Sequence, residues 1–364
     1  MIFRHNLVVI IPKKIGNFCF LKQWQKPGKI IIKCMAKIRL IHKFEDIISV
    51  DNLLLAWKEF IKGKKNKIDV QEFEFRLMDN ILSLHQDLSD NTYKHGGYQA
   101  FKICDPKPRD IHKATVRDRL LHRAVYRILY PFFDKTFISD SYSCRINKGT
   151  HRAINRFRNF GNKVSKNNTI TCWILKCDIR KFFASVNHEI LLNILREYIP
   201  DERIIWLLKE IIYSFNTTSN IGLPLGNLTS QLFANIYLNK LDQFVRRELR
   251  AKFYVRYSDD FVIFSQNKKW LKEIVFQIGN FLKDKLKLNL HPNKVSIKTL
   301  NSGQDFLGWV NFSNHRVLRT STKKRMFRRA KENSIPSTLS SYFGLLSHGN
   351  TDKIKREIIM RGIF

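Results

Sequence analysis

The stretch Phe253-Tyr-Val-Arg-Tyr-Ser-Asp-Asp-Phe-Val-Ile-Phe264 decides how this chain is read. Two runs of aromatic and β-branched residues flank Ser258-Asp259-Asp260, the pattern of a β-hairpin with a polar tip. Adjacent carboxylates at such a tip repel each other unless a cation sits against them. Mg²⁺ favours such a place, because it binds through one or two carboxylates plus substrate phosphates. Taken alone, Asp-Asp is better read as an ordinary hairpin turn, so the rest of the chain has to choose between the two.

Upstream, Cys172-Trp-Ile-Leu-Lys-Cys-Asp178-Ile-Arg-Lys-Phe-Phe183-Ala-Ser-Val-Asn-His188 reads as a buried strand ending in Asp178, with a helix from about His188. A carboxylate that closes a core strand is costly to bury unless it is paired or bound to metal. Asp178 is thus the second acidic position that the hairpin requires. Between the two lies Ile221-Gly-Leu-Pro-Leu-Gly226-Asn-Leu-Thr-Ser-Gln231, a Gly-rich turn expected to open a long helix from Leu232 to about Leu249. Gly226 would let the backbone approach a flat partner such as a nascent base pair, and a helix N-terminus favours negative charge. A lone Gly-x-x-x-Ser carries little weight; its place between two acidic strands gives it more.

Composition agrees with a polyanionic partner. The 364 residues include 65 Lys and Arg against 31 Asp and Glu, a formal net charge of +34. Self-repulsion of that size destabilises a compact state unless a polyanion is usually nearby. Nucleic acid is the first candidate and an anionic membrane the second. No apolar run approaches the ~20 residues of a membrane span, so nucleic acid is preferred. A hydrophobic content of 44% excludes a wholly disordered chain. The six cysteines form no Cys-x-x-Cys pair and the histidines show no zinc spacing, so free thiols in a reducing, cytoplasmic compartment are expected. Residues 1–34 match nothing downstream, and Met35-Ala-Lys makes a natural start. They read either as an extension ahead of the true start or as a flexible basic arm.

Helices are expected at 44–62 and 68–90, followed by a hairpin over Tyr93 to Ile103 with Gly96-Gly97 at its turn. A long helix then covers Leu120 to Phe133, another runs to about Phe160, and a third covers 268–288. Arg109, Arg117, Arg119, Arg145 and Lys148 are expected around short extended pieces, where cations suit triphosphate or backbone phosphate. The alternative is structural: Arg117-Asp118-Arg119 reads also as an internal ion pair. Asp305-Phe-Leu-Gly-Trp309-Val looks like a short hairpin strand. Beyond it, Arg319 to Arg329 reads as a basic helix for a duplex backbone, with a solvated basic surface as the alternative. From Arg316 to Arg361 the chain has twelve Lys/Arg and only Glu332, Asp352 and Glu357 as acids, too dispersed for a second acidic metal site.

The order of these parts resembles the reverse transcriptases over roughly residues 100–350. Tyr257-Ser-Asp-Asp260 matches the family's Tyr-x-Asp-Asp box, and Asp178 matches its first metal aspartate. The resemblance implies that Phe183 takes the sugar-gate position, where a ring would clash with a 2′-OH and favour deoxynucleotides. It implies Lys294 as the acid for the leaving pyrophosphate, and Phe306, Gly308 and Trp309 as the primer grip. Most members carry Gln-Gly-x-x-x-Ser-Pro where this chain has Leu225-Gly-Asn-Leu-Thr-Ser-Gln231. An aliphatic residue before the Gly and Ser-Gln after it is similar to the enzymes of diversity-generating retroelements. So are Asp140-Ser-Tyr-Ser-Cys-Arg145 and Ser341-Tyr-Phe-Gly-Leu-Leu-Ser-His348. The retron signatures Asn-Ala-x-x-His and Val-Thr-Gly are absent.

The expectation is therefore an α+β right-hand polymerase: an extension at 1–44, fingers at 45–165, an antiparallel palm backed by helices at 166–312 and a basic helical thumb at 313–364. The resemblance implies two Mg²⁺ ions, replaceable by Mn²⁺, held by Asp178, Asp259, Asp260 and the backbone carbonyl of Ile179. Arg109, Arg119, Arg145, Lys148, Phe183, Leu225, Gly226, Gln231 and the primer grip would meet dNTP, template or primer. Expected partners are template RNA, the cDNA and its RNA–DNA heteroduplex, dNTPs and a small basic accessory protein, with no membrane. In such a retroelement the resemblance implies errors at template adenines, with Leu225 loosening selection beside the templating base. The alternatives are a defence-associated or group II intron-like reverse transcriptase, and a non-catalytic RNA-binding or maturation protein that kept the fold.

Overall fold

The structure, a computed structural model, describes residues 38–104, 108–332 and 336–360. The expected N-terminal arm over 1–34 lies outside the described residues, and all that follows belongs to the unit Leu40–Phe364. Where two N-terminal helices are expected there are four: α1 (Phe44–Ile48), α2 (Val50–Phe60), α3 (Ile68–Phe75) and α4 (Leu77–Ser89). Ser49 ends the first and caps the second, its side chain accepting from the Asn52 N–H. That local hydrogen bond is why one apolar periodicity becomes two helices.

β1 (Tyr98–Ile103) pairs antiparallel with β2 (Arg109–Ala114) in the register Tyr98↔Ala114 to Ile103↔Arg109. The hairpin therefore turns beyond Ile103, and Gly96-Gly97 is not its turn. Gly96 instead packs its backbone on Asp118: its N–H donates to Oδ2 at 3.1 Å, and a Cβ there would lie 2.8 Å from that oxygen. α5 (Val116–Asp134) begins four residues before the expected Leu120, because Thr115 caps it by accepting from the Asp118 N–H at 3.2 Å. Arg117 and Arg119 consequently lie on a helix, not on extended chain. α6 (Thr150–Val164) follows.

The central sheet holds β3 (Trp173–Asp178), β4 (Tyr254–Tyr257), β5 (Asp260–Ser265) and β6 (Ser296–Thr299) in the order β4-β5-β3-β6, all pairs antiparallel. Alternate residues feed two cores. Leu175, Cys177, Tyr254, Phe261 and Ile263 join the larger cluster. The helices behind them are α7 (Phe182–Ser185), α8 (His188–Arg196), α9 (Glu202–Tyr213), α10 (Leu228–Gln243) and α11 (Lys268–Leu286). Ile174, Val255, Val262 and Phe264 face the smaller cluster with Phe157 and Phe160 of α6. Burial on both faces explains why these strands read as continuous apolar runs. Each fully buried large side chain here stabilises by about 1.5–3 kcal/mol.

α10 starts at Leu228, ahead of the expected Leu232, and its last turn, Phe244–Glu248, widens to π geometry. A small sheet of β7 (Gln304–Phe306), β8 (Trp309–Asn311) and β9 (Arg316–Leu318) comes next. Its first turn is Leu307-Gly308 with φ of 51° and 86°, the left-handed pair a two-residue hairpin turn needs. The third strand, β9, was not expected from the sequence. α12 (Thr320–Glu332), α13 (Pro336–Leu346) and α14 (Asp352–Met360) complete the described chain. Among the described residues no helix is long and apolar enough to cross a membrane.

Candidate active site

The β3–β5 register sets Asp178 directly opposite Asp260, and the β4–β5 register sets Tyr257 on its other side. Ser258, at φ 56°, makes the tight turn between them. The tip is stitched to its surroundings by backbone bonds: Ile179 N–H to the Asp259 carbonyl at 3.1 Å, and His291 N–H to the Asp178 carbonyl at 2.7 Å. The second bond brings the 291–294 loop alongside, and Lys294 Nζ lies 3.0 Å from both carboxylate oxygens of Asp178.

Asp178, Asp259 and Asp260 lie near enough at this tip to feel one another's charge. Burial, opposed by Lys176 and reinforced by Asp178, Asp259 and Asp305, pushes Asp260 up to about 7. Asp259 is raised for the same leading reason, burial, with Asp178 adding to it. Lys176 Nζ approaches Asp260 Oδ2 at 3.6 Å, while Asp260 Oδ1 is buried without a hydrogen-bond partner. Hard oxygen donors, crowded like charges and an orphaned carboxylate oxygen fit a divalent cation. Among the described residues no three His, Cys, Asp or Glu side chains are drawn together as a closed metal site. Lys294 holds the Asp178 carboxylate that a metal would need.

What aims this tip is a residue the sequence reading passed over. Arg256 has no exposed surface, and neither has its partner Asp242 on α10. Its Nε and Nη2 reach the Asp242 carboxylate at 2.7 and 2.6 Å, while its Nη2 also meets Ser141 Oγ and its Nη1 holds the Ser258 carbonyl at 3.1 Å. Tyr254 donates its hydroxyl to the same Asp242. The backbone of Arg256 also exchanges bonds with Asp140 and Tyr142. One guanidinium thus links the Asp140-Ser-Tyr segment, α10 and the acidic turn.

Phe183 is half-buried beside the buried Phe182, and its carbonyl accepts from Leu223 N–H at 2.7 Å. The Gly-rich loop runs from there to β2: the Leu225 carbonyl accepts from His112 N–H at 2.9 Å, and Asn227 Nδ2 donates to the His112 carbonyl at 3.0 Å. Gly226 has φ 107°, and a Cβ on it would lie 2.8 Å from Ile111 Cγ2. Only glycine fits that backbone, and the neighbour it approaches within the chain is β2. Leu225 and Gln231 are half-buried, and Gly226 is exposed.

The expected phosphate ligands divide. Arg109 is exposed at the start of β2, with no ion-pair partner among the described residues. Arg119 pairs with Asp69 at 2.5 Å, and Arg117 pairs with Asp87 rather than with Asp118. Arg145 is turned inward: Nε meets Asp134 at 2.7 Å, and the remaining nitrogens donate to the Asp134, Ile138 and Ser141 carbonyls. A guanidinium 5% exposed and so fully engaged is a structural clamp, which corrects its expected phosphate role. Lys148 donates to the Ser139 carbonyl at 2.7 Å. Phe306 and Trp309 are likewise buried in the smaller core, at 0% and 1% exposure, so the accessible part of the expected primer grip is the Leu307-Gly308 turn.

A family model described as reverse transcriptase (RNA-dependent DNA polymerase) matches residues 102–311. The chain is 27% identical to protein YkfC of Escherichia coli K12, over 78% of this chain and 82% of that one. It is 25% identical to the group II intron-encoded protein LtrA of Lactococcus lactis, over 68% of this chain and 51% of that one. It is 23% identical to the putative COX1/OXI3 intron 2 protein of Saccharomyces cerevisiae, over 83% of this chain and 40% of that one. The chain thus spans most of the first relative, about half of LtrA and 40% of the yeast intron protein. With the family model covering more than half of its length, the chain belongs to the reverse transcriptase family, the RNA-directed DNA polymerases.

Proposed function

We propose that this polymerase copies a template RNA into cDNA at Asp178, Asp259 and Asp260, in the setting of a diversity-generating retroelement. The observation that carries the catalytic part is the strand register that sets Asp178 against Asp260, beside Asp259 and with Lys294 in reach. Residues 45–165, 166–312 and 313–364 serve as fingers, palm and thumb. Divalent ions, Mg²⁺ or Mn²⁺, when bound, activate the primer 3′-OH and neutralise the leaving pyrophosphate. Asp178, Asp259 and the Ile179 carbonyl hold them, with Asp260 supporting at the strand pair. Lys294 rests on Asp178 and is placed to give a proton to the departing phosphate. Phe183, next to the loop that carries Leu225, excludes a 2′-OH. Arg109 meets the triphosphate.

The test is Mg²⁺-dependent dNTP incorporation on a primed RNA template. Asp259→Ala abolishes it, and a variant with full activity overturns the site.

The retroelement reading rests on Leu225-Gly-Asn-Leu-Thr-Ser-Gln231, in which an aliphatic side chain replaces the usual amide beside the templating base. Leu225 is half-buried and its loop is tied by backbone to β2, so a change of side chain there alters packing without freeing the loop. Misincorporation opposite template adenine falls in Leu225→Gln; unchanged fidelity sinks this reading. A small basic accessory protein completes the retroelement. The intron-encoded relatives favour a second reading, a group II intron-like enzyme. A neighbouring pair of near-repeats differing at adenines distinguishes the two.

A further inference from the structure

A cavity of about 400 Å³ opens between α6, the β8–β9 turn and the loop joining α13 to α14. It is far from the carboxylates. Leu300, which lines it, donates its N–H to the Cys172 carbonyl at 2.9 Å, at the start of the strand whose other end is Asp178. Six strand residues at about 3.3 Å each place roughly 20 Å between the two.

The lining is cationic and amidic, and none of the described residues in it is a carboxylate. Arg316 donates through Nη2 to Asn155 at 2.8 Å, but its Nη1 is buried with no partner. Arg158, exposed on α6, has no ion-pair partner among the described residues. Burial and then the charge of Arg158 hold Arg316 below the usual arginine range. His348, stacked on His151 at 3.7 Å, is lowered by burial, by His151 and by Arg316. Elsewhere in the chain the inward-turned arginines, 145 and 256, meet aspartates. Here like charges are held together with an unmet N–H, an arrangement that an anion with several acceptor oxygens would relieve.

The remaining wall suits more than a bare anion. Phe312 and His315 stack at 4.7 Å and 12°, and Asn311 Oδ1 is a buried acceptor without a donor. The volume falls within the range of small-ligand pockets, about 300–1,000 Å³. We propose that this cavity is a second nucleotide-binding site, seating a phosphate between Arg158 and Arg316 and a base against Phe312 and His315. The nucleotide is either an unpaired residue of an RNA strand or a free mononucleotide. The site is separate from polymerisation and does not depend on the retroelement reading.

The test uses the full chain with its polymerising cleft filled by saturating unlabelled primer–template duplex. Fluorescein-labelled oligouridylate of twelve nucleotides, uridine 5′-monophosphate and inorganic phosphate are then titrated. Oligouridylate still binds, Arg158→Gln weakens it about tenfold, and the salt slope falls by about one. Arg316→Gln acts in the same direction. Arg158 is exposed, so its variant keeps the wild-type melting temperature and decides the matter even if Arg316→Gln unfolds. Arg158-dependent binding of the monophosphate without binding of oligouridylate assigns the site to a free nucleotide. No binding of any probe beside the duplex, or binding indifferent to Arg158→Gln, overturns the proposal.

Discussion

Arg256 stands two positions before the acidic turn and is the side chain on which the turn's aim depends. It has no exposed surface, and its charge is balanced by a bidentate grip on Asp242. Removing one member of a buried pair leaves the other charge uncompensated, at a cost of about 3–5 kcal/mol. Arg256→Met is therefore expected to lower the free energy of unfolding by that amount, read from denaturant melts, and Arg256→Met with Asp242→Leu to recover most of it. A single variant as stable as wild type would contradict the account. The double variant separates stability from aim: it folds, but the Ser258 carbonyl has lost its donor, so dNTP incorporation stays low. This residue sits in the very stretch from which the fold is read, yet its role was not legible there. An arginine between Val255 and Tyr257 looks like a solvent-facing strand position, and its partner is on another element fourteen residues upstream. The placement of Asp178 and Asp260 at strand ends was legible, because a polar residue closing an apolar run is a local signal.

At the scale of elements, the junction of β1, α5 and α9 shows what spacing hides. Tyr93, His95, Tyr98, Asp118, His122 and Ser214 form one polar cluster there. Tyr93 donates to Asp118 at 2.7 Å, His95 and His122 meet through their Nε2 atoms at 3.1 Å, and Tyr98 meets Ser214 at 2.7 Å. The Gly96 approach to Asp118 belongs to this cluster, which is why Gly96-Gly97 misled as a turn. The capping pair Thr115 and Asp118, by contrast, is a readable helix start. His122 is fully buried, and burial, with His95 adding to it, pushes it down to about 3 from the usual 6.5. Above about pH 6.5 both folded and unfolded states hold it neutral and it costs nothing. As pH falls from 6.5 towards 3 the unfolded chain takes a proton that the folded one refuses, so stability drops by up to about 1.4 kcal/mol per pH unit. Denaturant unfolding between pH 7 and 5 should show this loss, and His122→Gln should flatten it. A His122→Gln profile parallel to wild type would remove His122 as the cause.

Across the whole molecule, what the sequence conveys best is charge, and what it conveys least is where that charge is already used. Of the net +34, several cations expected to meet phosphate are occupied: Arg117, Arg119 and Arg145 by aspartates and Lys148 by a carbonyl. Those pairings join residues far apart in the chain, such as Arg119 with Asp69, so no window of sequence reveals them. Part of the excess lies in α12, whose six Lys/Arg stand against one acid, Glu332, and where Lys324 and Lys331 are exposed. If α12 lies along the heteroduplex as the proposed thumb, affinity is set by release of counterions from the phosphates it neutralises. With about six to ten phosphate contacts, binding of a primer–template falls by roughly 10³–10⁵ between about 50 and 200 mM salt. Lys324→Gln with Lys331→Gln should shift the log–log salt slope by about two, while leaving the order of affinity among sequences unchanged, because backbone contacts carry no base information. Fluorescence anisotropy across a salt series reads both quantities. An unchanged slope in the double variant would make α12 a solvated surface and move the duplex contacts elsewhere. A slope that shifts together with altered sequence preference would mean that the helix reads bases, which the phosphate-only arrangement does not allow.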